Sequence, residues 1–368
     1  MRDFKHLRQQ FQFTVNRVFR ILLRENFVGP DNVPSSSSGR PAFSRIPAFS
    51  DVVDALIKAS PNFRNVSRLS IDSWDLPPMY HLQHLFEAFW LAFGANLQVL
   101  SLGGNLEGYR KFIRSGPFLP QLHDLSVEFT NNIFRNPQDI DSDILIEDVA
   151  PFINRFNPNL RSLTIWSWAD LDLSQFFKII EIPPNLNSFN NRMAFNTSLR
   201  DPSGLCDFLD GCSSTLTKLD LRLNPTGGRN LERESPLSIW LWDCFNHKEK
   251  HHLNRLQSLA IFPTNTERAL DILLACLRRT SKTLKDFNVR DKYLNFEELS
   301  QLVDVASTCE QLERLRLNIN KLDSAVLDLL AMKLPGTKTL SIFVADSIII
   351  ERRYGSTSMV SVRWSPAH

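Results

Sequence analysis

The chain has 368 residues, 43% of them hydrophobic, and sets 42 Lys and Arg against 40 Asp and Glu for a net charge of +2. With a mean hydropathy of −0.19 and a pI near 8.3, this composition fits a folded, soluble protein and excludes a disordered chain or a nucleic-acid binder held by bulk charge. No stretch approaches the roughly 18 to 20 apolar residues of a membrane span, and "MRDFKHLRQQFQF" lacks the unbroken apolar core of a secretory signal.

Residues 1–29 open the chain. Phe4, Leu7, Phe11, Val15, Val18 and Leu22 stand at steps of three and four, which predicts an amphipathic cap helix over 4–23 covering the open core of the first repeat. Two alternatives stay open: a degenerate first repeat with a strand in "RVFRIL", and a membrane-surface or transit helix. An Arg-rich face favours the last, and Asp3 and Glu25 weaken it. Residues 30–47, within "GPDNVPSSSSGRPAFSRIP", are dense in Pro and Ser and read as a flexible linker or loop.

From 48 to 350 a beat of the form L-x-x-L-x-(L/I/V) returns every 25 to 40 residues. Its first positions are Val66, Leu97, Leu122, Leu160, Leu186, Leu216, Leu256, Leu284, Leu312 and, more weakly, Thr337. A single beat arises by chance at this hydrophobic content, so the order around the beats carries the argument. Short polar breaks precede them, such as "NPN" before Leu160 and "PPN" before Leu186. Segments with helical spacing lie between, including "MYHLQHLFEAFWLAF", "DILIEDVAPFINRF", "ERALDILLACLRRT" and "FEELSQLVDVAST". Strands are expected near 66–71, 97–102, 122–127, 160–165, 216–221, 256–261, 284–289 and 312–317, all in one parallel sheet. The Leu186 beat is the least regular, because Asn191 takes the place of its third apolar residue. "LSIFVADSIIIE" suits a terminal strand or two, and 351–368 reads as a partly ordered tail.

Strand, turn and helix in this rotation predict an α/β leucine-rich-repeat solenoid of about ten repeats, parallel strands on the concave side and helices on the convex side. Neither a short strand nor a one-sided helix buries its apolar stripe alone; stacked copies do. Over roughly residues 63 to 345 the beat resembles the long, helix-containing leucine-rich repeats of intracellular proteins. The phrases "SIDSWDLPPMYHLQHLFEAFWLAFGANLQVLSLGGNLE", "RMAFNTSLRDPSGL" and "FPTNTERALDILLACLRRT" resemble fungal F-box/leucine-rich-repeat-type proteins. That resemblance implies a substrate receptor of an SCF-type ubiquitin ligase in the cytoplasm or nucleus. An F-box usually starts with a Leu-Pro-x-Glu-like phrase, which residues 1–29 do not contain. An adaptor or cullin partner is therefore doubtful, and a paralogue without a ubiquitin role is an alternative.

No motif points to catalysis: there is no Gly-rich phosphate loop, no G-x-S-x-G and no H-E-x-x-H. No catalytic, cofactor-binding or metal residues are assigned, and the chain is read as a non-enzymatic protein; an enzyme with an unrecognised site is the rival. Cys244, His247 and His251 in "CFNHKEKHH" share a helix face, but three ligands fall short of the four of a structural zinc site. The five cysteines are odd in number and read as free thiols. Glu297 and Glu298 suit a helix start.

Alternate side chains of a strand face opposite ways. The position after each beat's last core residue therefore faces away from the core: Asp72, Gly103, Glu128, Trp166, Arg192, Arg222, Phe262, Arg290, Asn318 and Phe343. This column begins acidic and turns aromatic and basic at the fourth repeat. Trp and Arg are the types in which binding energy concentrates. Trp166, Arg192, Arg222, Phe262 and Arg290 are thus the candidate residues for binding a protein ligand on the concave face, a strip of about 20 Å at ~4.8 Å per strand. Trp168, past the predicted strand, is expected to fold into the repeat turn.

Overall fold

A computed structural model describes residues 18–22, 49–72, 82–131, 142–169, 171–223, 235–246, 254–262, 268–345 and 359–362. Residues 4–17, 30–47, His247 and His251 lie outside them. The chain divides into two compact units, Met1–Asn159 and Leu160–His368. Both are built from the same α/β leucine-rich repeat.

In the first unit β1 (Val18–Leu22), β2 (Arg68–Asp72), β3 (Val99–Gly104) and β4 (Asp124–Phe129) run parallel in that order. Residues 18–22 thus form a strand, as in the alternative of a degenerate first repeat with a strand in "RVFRIL", while residues 4–17 of the expected cap helix lie outside the described residues. Val18 pairs with Arg68 and Leu22 with Asp72, so a strand edge, rather than an apolar helix stripe, sets their conformation. Helices Gln83–Phe93 and Leu106–Arg114 follow β2 and β3, and short helical turns from Ser142 to Asn154 follow β4. Their inner faces meet through aromatic rings. Phe112 lies 5.2 Å from Phe86, 5.0 Å from Trp90 and 5.8 Å from Phe152, each edge to face, the arrangement the ring quadrupoles favour. The buried Tyr109 hydroxyl donates to the Leu102 carbonyl at 2.6 Å and accepts from the Glu128 amide at 2.8 Å, tying β3 to β4.

In the second unit seven strands run parallel: β5 (Ser162–Ser167), β6 (Ser188–Arg192), β7 (Lys218–Arg222), β8 (Ser258–Ile261), β9 (Asp286–Leu294), β10 (Arg314–Ile319) and β11 (Thr339–Val344). From the tail, β12 (Met359–Val362) pairs antiparallel with β11 and covers an edge that would otherwise offer unpaired amides and carbonyls. Helices Ala269–Thr280, Phe296–Ala306 and Ser324–Lys333 each follow a strand. Asn295 starts the second of these with a reciprocal cap: its side chain accepts from the Glu298 amide, and Glu298 accepts from the Asn295 amide, both at 2.9 Å.

The strands begin two residues later than expected. The first residue of each beat lies in the turn ahead of the strand, and Leu97, Leu122, Leu160, Leu186, Leu216, Leu256 and Leu284 are all 0% exposed there. The backbone explains the shift. The carbonyl of the second beat residue accepts two amides from the next repeat, as Ser67 does from Gln98 (2.8 Å) and Val99 (3.0 Å), and Arg161 from Asn187 (2.9 Å) and Ser188 (3.1 Å). That bifurcated bond turns the chain into the strand and points the first leucine inward.

Candidate partner-binding surface

β5, β6 and β7 alternate buried side chains with half-buried ones, Lys218 at the start of β7 being exposed. Leu163, Ile165, Phe189, Leu219 and Leu221 go to the core at 1% exposure or less. Trp166, Arg192 and Arg222 are left half-buried on the opposite face. Register sets them in one row, Trp166 beside Arg192 and Arg192 beside Arg222. The row continues through Phe262, after the last residue of β8, to Arg290 in β9, because Leu221 pairs with Ile261 and Ile261 with Val289.

The rings and guanidiniums of the row interleave. The Arg192 guanidinium carbon lies 5.9 Å from the Trp166 ring centre and 3.7 Å from that of Trp168. Arg222 sits 4.4 Å and Arg290 5.4 Å from the Phe262 ring centre. Farther along, Arg316 lies 4.0 Å from the Phe343 ring centre. Each contact places a cation over the negative face of an aromatic ring. The next row inward adds polar partners: Trp166 Nε1 donates to Asn190 Oδ1 at 3.2 Å, and Arg290 Nε donates to Asn288 Oδ1 at 3.2 Å.

Two side chains differ from their sequence expectation. Phe262 is 5% exposed, so it forms the floor on which Arg222 and Arg290 rest instead of a ring presented to solvent. Trp168 is half-buried and stacked on Arg192, not folded into a repeat turn. The two-residue alternation that exposes Trp166 continues one step beyond the hydrogen-bonded strand.

Asp220 and Arg222 complete the electrostatics. Their ion pair, Arg222 Nε to Asp220 Oδ1, spans 3.5 Å, and neither of those two buried atoms has a hydrogen-bond partner. Burial raises the Asp220 pKa above the usual carboxylate range, against the pull of the Arg222 and Arg290 charges. Around Arg290 the strand is irregular: residues 289–292 of β9 fall between Asn288, paired with Arg316, and Tyr293, paired with Asn318, so they oppose Leu317 alone. That bulge carries Arg290 and lets Lys292 reach Glu298 at 2.9 Å. Sequence alone gave no sign of it.

Among the described residues no group of three or more His, Cys, Asp or Glu is placed to hold a metal ion, and none of their helices is long and apolar enough to cross a membrane. A cavity of about 20 Å³ between Ile71, Phe86, Tyr109 and Phe112 in the first unit has room for a water molecule.

No family model matches the chain, and no curated protein matches it. Among solved structures it is similar to the leucine-rich-repeat-containing protein LegL7 from Legionella pneumophila, at 18% identity and a TM-score of 0.42, over 77% of this chain and 88% of that one. It is also similar to the Rad7 and Elc1 complex of yeast, at 16% identity and a TM-score of 0.32, over 84% of this chain and 88% of that one. Likeness at this level says nothing about what the surface binds.

Proposed function

We propose that the protein is a non-enzymatic interaction scaffold whose strand face in the second unit, the concave side of the repeat, binds another protein. One observation carries the reading: the register-aligned row Trp166, Arg192, Arg222, Phe262 and Arg290 is knit by cation–π contacts and set on rigid strands. Aromatic and arginine side chains held this way bind with little loss of side-chain entropy. Repeat folds present extended surfaces, which suit a macromolecule better than a small substrate. The resemblance to F-box/leucine-rich-repeat-type proteins supports the finer reading of a ubiquitin-ligase substrate receptor acting in the cytoplasm or nucleus. That finer role further requires an adaptor-binding segment.

The test is proximity crosslinking from a benzophenone amino acid placed at position 166, with the triple variant Trp166→Ala, Arg192→Ala, Arg290→Ala as comparison in a binding assay. A defined protein that crosslinks at 166 and loses at least about tenfold in affinity with the triple variant, ~1.4 kcal/mol or more, is the expected result. Unchanged affinity for every crosslinked protein would end the reading. Purified chain mixed with a Skp-family adaptor tests the finer role, and the sequence predicts no tight complex.

A further inference from the structure

All five cysteines lie in the second unit, and one pair of them is in sulfur–sulfur contact. Cys206 Sγ and Cys244 Sγ approach to 3.2 Å across 38 residues of sequence. A disulfide bond is about 2.0 Å long, so these sulfurs need close by roughly 1 Å more. The geometry points to a redox-operated staple: a peroxide joins Cys206 to Cys244 and fastens the repeat that carries β7, and a thiol reductant releases it. The staple operates whatever the strand face binds.

Fixed helices present the two thiols. Cys206 stands in helix Ser203–Gly211, whose Gly204 sits against the Lys178 backbone. Cys244 stands in helix Ser235–Asn246. One turn earlier in that helix, the Trp240 ring packs 5.5 Å from the Phe195 ring. The Phe245 carbonyl accepts from Arg279 Nη1 at 3.2 Å. The sulfurs therefore meet in the native state and need no unfolding to do so. Among the described residues no other cysteine has a second sulfur beside it; Cys309 Sγ faces the carbonyls of Leu277 at 3.9 Å and Val305 at 4.0 Å. An oxidised sulfur at those sites has no thiol at hand to resolve it.

Cys206, at 8% exposure, meets the oxidant first, and Cys244, at 1%, lies behind it. The Cys206 thiolate attacks one oxygen of hydrogen peroxide, the O–O bond breaks, and hydroxide leaves and takes up the thiol proton as water. Cys206 is then a sulfenic acid. The Cys244 thiolate attacks its sulfur, the S–S bond forms, the S–O bond breaks, and a second water leaves with the Cys244 proton. Two thiols give up two electrons, and one peroxide takes them. The closed loop runs from 206 to 244 and contains all of β7, Lys218–Arg222. A cross-link of this kind removes freedom from the unfolded chain, so oxidation opposes the opening of that repeat.

Hydrogen peroxide added to the native full chain tests the staple, read by mass-spectrometric digestion and by thermal melting without reductant. A Cys206–Cys244 disulfide peptide is expected, with a melting temperature about 5 °C or more above that of the reduced chain. Dithiothreitol should return the melt to its starting point, which it does not do for oxidised methionine. Amide exchange in β7 should slow on oxidation, while β3 in the first unit stays unchanged. Cys206→Ser should gain neither the disulfide nor the added stability, whereas Cys309→Ser should respond like the unchanged chain. If Cys206→Ser does not fold, Cys206→Ala replaces it, and peptide mapping with dithiothreitol reversal on the unchanged chain decides by itself. No disulfide between 206 and 244, a disulfide without a rise in melting temperature, an equal rise in the 206 variant, or a rise that survives dithiothreitol would each overturn the staple.

Discussion

At the scale of single residues, the core positions of the beat explain most of the stability, and one of them breaks the rule. Leu163 is 0% exposed, so Leu163→Ala should cost about 2 to 5 kcal/mol, read by urea unfolding. Asn191 takes the equivalent place of Ile165 and Leu221, its register partners. It is 0% exposed, and neither its Oδ1 nor its Nδ2 has a hydrogen-bond partner. A buried amide left unmade costs about 1 to 3 kcal/mol, so Asn191→Leu should stabilise the protein by a similar amount; a lower unfolding midpoint would refute this account. Asp220 makes a pH-dependent claim. Its folded-state pKa lies above the unfolded value because burial penalises the charge. Below the unfolded pKa both states hold the proton and nothing is lost. As pH rises from there through the folded pKa, the native state binds the extra proton and stability falls. Asp220→Asn should therefore raise the melting temperature at pH 7 and leave it nearly unchanged near pH 3. A variant that melts lower at pH 7 would show that the Arg222 pair outweighs burial.

Elements show what could be read ahead of the structure and what could not. The beat was legible because three buried side chains recur in a fixed rhythm, and the helices because "ERALDILLACLRRT" and "FEELSQLVDVAST" carry one apolar stripe each; they form Ala269–Thr280 and Phe296–Ala306. The true start of each strand was hidden, since the leucine in the turn is as apolar as those in the strand. Val18 and Leu22 fit a helical stripe equally well, and only pairing with β2 decides for a strand. Of the candidate strip, the alternation rule located the row, but not the burial of Phe262 or the stacking of Trp168, which depend on residues of other strands, Arg222 and Arg290 for the first and Arg192 for the second. Close approach of backbones is likewise invisible to pattern. A Cβ on Gly204 would lie 2.9 Å from the Lys178 amide nitrogen and 3.0 Å from the Phe177 carbonyl carbon. Helices Ser174–Ile179 and Ser203–Gly211 thus meet through this glycine. Gly204→Ala should destabilise by about 1 to 3 kcal/mol as overpacking, even though alanine is the better helix former. A neutral or stabilised variant in thermal melts would show that the two helices separate freely.

For the molecule as a whole, the division at Asn159 and Leu160 had no compositional trace, because both units repeat the same unit of structure. Cysteine placement nevertheless distinguishes them: all five cysteines follow residue 205, and all five are buried free thiols. Burial pushes the thiol of Cys212 up to about 12 and that of Cys309 up to about 11, and it raises Cys276 further. The thiolate is the reactive form, so thiol chemistry should report the opening of the second unit. At pH 8 a disulfide reagent such as Ellman's should label the native chain slowly and all five sites at once after urea unfolding. One pair is set apart from the rest. Cys206 Sγ and Cys244 Sγ, from neighbouring helices, approach to 3.2 Å, close enough that small movement reaches bonding distance. Treating the chain with diamide, which oxidises two thiols and is itself reduced to the hydrazine, should therefore give a Cys206–Cys244 disulfide as the dominant crosslinked peptide in a mass-spectrometric digest. Crosslinks distributed evenly among the five cysteines would mean that oxidation proceeds through unfolded chains and that the native proximity of these two thiols has no chemical consequence.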